Sequence, residues 1–196
     1  ISDHTDDLQK ANHRLERVIK ILNLLVQQFD VVESMTTMEF LEFRDVLRPA
    51  SGFQSMQFKI LEARLGLRME NRFGGQYYVS QLKLHDREQI EELRFEDSLL
   101  YHVNRWLERM PFFNTNSEKH SFWDQYKKAY GAGLLPSEHA HLEKFDDIFF
   151  NENTASFSSK ALRHALFISA YSFKPLLYLP YRILHALLSL DECLSS

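Results

Sequence analysis

Leu8, Ala11, Leu15, Val18, Leu22, Leu25, Phe29 and Val32 recur at steps of three and four residues, a spacing that an α-helix gathers onto one face. The same period runs through nearly the whole chain, and no stretch carries the convincing apolar–polar alternation of a half-buried strand. An all-α fold follows, opening with one long helix. The next start signal is Thr36, whose hydroxyl can cap a helix while Glu39, three residues on, reaches back to it. That helix should stop near Arg48, because Pro49 disfavours a helical residue before it and donates no hydrogen bond. Ser51-Gly52 then makes a corner, and a further helix from about Phe53 to Leu65 ends on Gly66 as a left-handed cap.

Beyond Gly66 the period loosens over 67–84, where Gly74-Gly75, Tyr77 and Tyr78 suggest an irregular connection. Two helices are expected over Asp86 to Leu93 and Asp97 to Met110. The second is capped by Asp97, stopped by Pro111, and turns Leu99, Val103 and Leu107 inward. Segments 117–130, 136–150, 158–173 and 180–194 complete the helical map, without internal repeats or low-complexity tracts.

With 196 residues, 44% of them hydrophobic, the chain has enough apolar material for one substantial core, so a single helical domain over 1–196 is the expectation. A formal net charge of −4 with interspersed basic residues lacks the basic stripe of a nucleic-acid binder. One cysteine, Cys193, excludes an internal disulfide framework and fits a reducing compartment, hence the cytoplasm. The most apolar region, Ala165 to Leu190, is interrupted by Lys174, Pro175, Pro180 and Arg182, and reads as buried helix rather than a membrane span. The opening ISDHTDD has neither the basic start nor the apolar core of a signal peptide, so export is not indicated. A GxSxG elbow, an HExxH pair and a glycine-rich phosphate loop are all missing from the sequence, which argues against the corresponding hydrolases and nucleotide enzymes.

The feature with chemical content is Arg44. It shares a helix with Phe40, Phe43 and Leu47, so a planar bidentate cation lies beside apolar side chains, a combination that suits a carboxylate on an aromatic body. The plainer alternative is an exposed arginine paired with Glu39, Glu42 or Asp45, with the aromatics serving as core. Among the nine histidines, His164 and His185 sit on apolar helices and read as core or boundary residues. His139 and His141, two apart on a helix, point to different faces and make no metal clamp.

The segment FRDVLRPASGFQSMQF, with VIKILNLLVQQFDVVESMT before it, resembles the tryptophan 2,3-dioxygenase family. The resemblance continues through HVNRWLERMPFF and SFWDQY, then FSSKALRHALFISAY and LLSLDECLSS, in the family's order, and so covers most of the chain. It implies a helical bundle of the tryptophan/indoleamine dioxygenase type, a haem cofactor, L-tryptophan and O2 as substrates, N-formylkynurenine as product, and a homotetramer. By the same resemblance Arg44 clamps the substrate carboxylate while Phe40 and Leu47 wall the indole. Ser51 and Gly52 form the turn beside the haem, and Phe58 lies near the haem cavity. Read without the resemblance, Ser51-Gly52 is a plain helix-to-helix corner and Phe58 a core residue.

Three departures stand beside the resemblance. Lys59 replaces the family's usual arginine, keeping the charge and losing the planar fork. YSFKPLLYL, residues 171–179, stands where family members carry a more charged loop. The family's distal histidine precedes the first helix found here, and its proximal iron ligand and GTGGSSG loop follow the last, so neither iron ligand is expected in this chain. The expectation is a central portion of a longer dioxygenase, inactive alone; the alternative is a non-catalytic helical relative or interaction module that has lost haem.

Overall fold

The computed structural model describes residues 2–48, 55–67, 82–94, 96–111, 116–151 and 157–195. Among these residues all regular structure is helical: α1 Ser2–Glu33, α2 Thr37–Arg44, α3 Met56–Leu65, α4 Leu84–Arg94, α5 Leu99–Glu108, α6 Asn116–Gly133, α7 His141–Phe149, α8 Ser159–Ala170 and α9 Pro175–Ser195. The all-α expectation holds. The chain divides into two compact units, one of Ile1–Ala50 with Leu166–Ser196 and one of Ser51–Ala165.

The first unit is built on α1 packed along α9. Glu16 pairs with Arg182, and the Cys193 thiol donates to Asn23 Oδ1 at 3.2 Å, so the two helices run in the same sense. Arg182 also donates to the Tyr178 hydroxyl at 3.3 Å. Hydrogen bonds from the Asn12 amide first and from Arg182 second hold the Glu16 carboxyl below the usual carboxylate range. The seam itself is apolar, with Leu177, Ile183, Ala186 and Leu190 of α9 buried. Because α9 ends alongside Asn23, the last ten residues of α1 run past it. Leu24, Leu25, Phe29, Val31 and Val32 there are all more than half exposed. The apolar stripe legible in the sequence is thus covered over its first half and bare over its second.

Two expectations about α9 are corrected. The helix begins at Pro175, not 180, because a proline in the first turn lacks only a donor that would be unused there. Pro180 lies inside the helix, which continues through it at the loss of one backbone bond to the carbonyl of Leu176, a residue 79% exposed. Nor is Ala165 to Leu190 uniformly buried, since Phe173, Leu176, Tyr178 and Leu188 face outward. No helix among the described residues is long and apolar enough to cross a membrane.

The second unit places α3 against α4 and α5, and α6 against α7. Met56 packs on the buried Leu82 and Ile90, while Val103 and Leu107 bury the inner face of α5 as expected. Its cap is Ser98 rather than Asp97: the Ser98 hydroxyl accepts from the Tyr101 amide at 3.2 Å, and the extended backbone of Ser98 meets the requirement of that position. Helix α4 begins at Leu84, two residues earlier than its acidic signal, and α6 extends to Gly133. The expected 136–150 helix is a short 3-10 turn, Pro136–Glu138, followed by α7. Helix α8 ends at Ala170, ahead of the expected 173. Gly74, Gly75, Tyr77 and Tyr78 lie outside the described residues, as do Ser51, Gly52 and Phe53.

Gly66 closes α3 as the sequence suggests, with φ +87° and its amide bonded to the Glu62 and Ala63 carbonyls. A β-carbon there would also lie 2.5 Å from Ser98 Oγ, the atom that caps α5. Gly66→Ala therefore combines a left-handed strain of about 1–3 kcal/mol with displacement of a cap. We expect its thermal melt, followed by circular dichroism, to fall by several degrees; an unshifted melt would contradict this account.

Candidate functional site

Arg44 is placed by a short helix whose two ends are both fixed by local chemistry. At the start, the Thr36 hydroxyl accepts from the Glu39 amide at 3.3 Å, and Glu39 Oε2 accepts from the Thr36 amide at 2.7 Å and from its hydroxyl at 2.8 Å. This is the expected capping box, and its bonds hold the Glu39 carboxyl below the usual range. At the other end α2 tightens into a 3-10 turn over Asp45–Leu47, and Arg48, the residue before Pro49, turns to extended backbone at ψ 135°.

Helical geometry decides which side chains surround the guanidinium. Neighbours on a helix surface lie three and four positions apart; for Arg44 these are Phe40 and Leu41 on one side, Leu47 and Arg48 on the other. None is a carboxylate. Glu39 is committed to the cap, and Asp45 faces Arg48 at 3.7 Å. Among the described residues Arg44 consequently makes no ion pair, and the surface-pair alternative is not realised. The i−4 and i−3 positions carried this signal in the sequence, where counting the acids nearest in the chain obscured it.

Phe40 and Leu47 do lie beside Arg44, but α2 buries none of its residues: Phe40 is 39% exposed and Leu47 49%. The helix presents an open face of one cation and apolar side chains rather than a closed, dry pocket. Phe43 meets Phe40 edge-on, with ring centroids 5.3 Å apart and planes at 81°, which fixes the Phe40 ring.

The proposed haem-side residues fall in the second unit. Ser51 and Gly52 lie outside the described residues. Phe58 is 38% exposed, against the expectation that a helical phenylalanine is core, because Ser55 caps α3 and the helix turns its Lys59 and Glu62 face inward instead. Lys59 and Glu62 are fully buried. Burial pulls the Lys59 pKa down, and the Glu62 carboxylate opposes that shift. Lys59 thus serves the interior of its unit and presents no charge at the surface beside Phe58.

His164 is 2% exposed within the core, whereas His185 lies on the exposed side of α9, 6.1 Å from the Tyr181 ring. Groups of three or more His, Cys, Asp or Glu able to hold a metal do not occur among the described residues. Phe58 presents a partly exposed apolar ring, and the Lys59 charge beside it in sequence is turned into the interior of the unit.

The model of the tryptophan 2,3-dioxygenase family matches residues 2–144. The chain belongs to that family. It is 37% identical to the tryptophan 2,3-dioxygenases of Bdellovibrio bacteriovorus, over 95% of this chain and 60% of the relative, and of Alteromonas mediterranea, over 96% and 60%. The tryptophan 2,3-dioxygenase of Dictyostelium discoideum is 33% identical over 93% of the chain and 53% of its own length. The chain therefore spans little more than half the length of these relatives, and the family match includes all of α1 to α6.

Proposed function

We propose that this chain serves the haem-dependent dioxygenation of L-tryptophan to N-formylkynurenine, the first step of tryptophan breakdown by the kynurenine route, with Arg44 as the carboxylate clamp. The observation that carries this reading is the guanidinium of Arg44, without an ion pair among the described residues and flanked by Phe40 and Leu41 on its own helix and by Leu47 in the turn that follows. Two parallel charge-assisted bonds from a rigid fork fix both the position and the rotation of an amino-acid carboxylate. The aromatic and aliphatic neighbours suit the indole at its other end. Haem, when bound, supplies the dioxygen chemistry. The described residues contribute substrate positioning through α2 and, in Phe58, an apolar contact for the porphyrin; Ser51 and Gly52 belong to the same haem-side assignment.

Two finer assignments accompany this reading. A homotetramer gives the bare second half of α1 a cover, since Leu24, Leu25, Phe29, Val31 and Val32 form an exposed apolar face that the described residues of their own unit leave more than half open. A cytoplasmic location agrees with a sequence that holds a single cysteine, Cys193. The decisive experiment is visible absorption spectroscopy of the purified chain with added haem, combined with detection of N-formylkynurenine from tryptophan and dioxygen. A haem band that responds to tryptophan, with product, supports the reading; failure to take up haem makes this polypeptide, by itself, either a portion of a longer dioxygenase or a non-catalytic helical relative. Sedimentation velocity on the same preparation tests the assembly, and a monomer at micromolar concentration removes the tetramer.

A further inference from the structure

We propose that the Thr36–Glu39 capping box is a positioning device for Arg44, holding in order a helix that the core does not hold. This rests on Arg44 as the carboxylate clamp. An eight-residue helix is well below the length that is stable in water by itself, and most short helices persist because one face is buried. Helix α2 has no buried residue, and Met38 and Leu41 stand 70% and 46% exposed. Its order therefore falls to its ends. The bonds there are concentrated at Thr36: its carbonyl accepts from the Phe40 amide at 3.1 Å, its hydroxyl accepts from Glu39, and its own amide donates back to the Glu39 carboxylate. One and two turns later the same helix carries Phe40 and Arg44, so any fraying from the start moves the clamp and its apolar neighbour together.

The cap acts on the fraction of molecules that present Arg44, and apparent affinity scales with that fraction. Loss of a cap of this kind shifts a helix equilibrium by about fivefold. Because a bound carboxylate restores the arrangement, the effect falls on KM and not on kcat.

The test compares Thr36→Val, which keeps the shape and removes the hydroxyl, with Thr36→Ser, which restores it, in the full-length, haem-loaded dioxygenase. Hydrogen exchange of the amides from Phe40 to Arg44 is read first, without reference to any ligand. We expect it to rise in Thr36→Val, with α1 and α9 unaffected, and to return in Thr36→Ser; unchanged exchange overturns the proposal. Calorimetry with L-tryptophan and steady-state kinetics follow, with Arg44→Ala alongside. The expected result is a Kd and KM raised by up to about fivefold in Thr36→Val, an unchanged kcat, and recovery in Thr36→Ser. If Arg44→Ala abolishes binding while Thr36→Val leaves it intact, the positioning role fails and the clamp stands. If neither variant changes affinity, the clamp fails as well and the positioning role with it. A parallel fall in kcat and in the melting temperature assigns the cap to the fold at large and likewise overturns the proposal.

Discussion

Arg44→Ala in the full-length, haem-loaded dioxygenase is expected to lower kcat/KM for L-tryptophan by roughly 10²-fold, from the loss of about 2–3 kcal/mol of charge-assisted hydrogen bonding. The estimate is held to that level because α2 presents Arg44 on an open face. An ion pair left in water contributes a few tenths to about 1 kcal/mol, and only desolvation by the bound substrate and its surroundings raises it further. Arg44→Lys keeps the charge and loses the fork, so it should recover part of the affinity and little of the orientation. Since no α2 residue is buried, neither variant should move the melting temperature by more than about 1 °C, which separates a binding effect from a folding effect. Tryptamine, the same indole without the carboxylate, supplies the closing side of the cycle: it should bind the wild-type protein and Arg44→Ala alike. Equal losses for tryptophan and tryptamine would show that Arg44 acts on something other than the carboxylate.

The elements legible in the sequence were those written in local chemistry. The capping box at Thr36 and Glu39, the stop before Pro49 and the left-handed Gly66 each depend on residues within four positions of one another, and each is found where its residues put it. Boundaries set by competition between neighbours were harder. Asp97 and Ser98 are both good caps, and the choice between them falls to Ser98 because its hydroxyl reaches the Tyr101 amide. Pro175 and Pro180 both read as breakers, yet one opens α9 and the other is carried inside it. Burial was least legible. Lys59 and Glu62 are buried and Phe58 is exposed, an inversion of what side-chain polarity suggests, because the phase of α3 is set by its packing on α4 and α5. The candidate clamp was legible as a residue, but its lack of a carboxylate partner came from helical phase and not from nearness in sequence.

That dependence of burial on tertiary packing makes Trp123 the position with the largest expected effect on stability. Trp123 is 5% exposed on α6, and its ring centroid lies 5.7 Å from Phe149, 5.7 Å from Phe150 and 6.5 Å from Phe145 on or just beyond α7. Tyr126 and Tyr130 stack on Phe145 from the α6 side, at 6.1 and 5.6 Å. The cluster is tied outward to α8, where Arg163 donates to the Phe149 carbonyl at 2.7 Å and lies 5.6 Å from the centre of the Phe150 ring. Burial lowers the Arg163 pKa, yet that carbonyl and ring supply it with acceptor density where water is displaced. Trp123→Ala removes the ring at the centre of this arrangement and leaves a void that rings fixed on two helices cannot fill. The expected cost is about 3–5 kcal/mol, a third or more of the stability of a typical domain. It should appear as a fall of about 10 °C in the melting temperature and a lower denaturation midpoint by circular dichroism. Trp123→Phe retains ring contacts on one side and should lose less than half as much. The contrast between the two is the informative quantity: if both variants melt alike, the indole fills no space that a phenyl ring leaves empty, and the α6–α7 packing is held by Phe145 and its tyrosines instead.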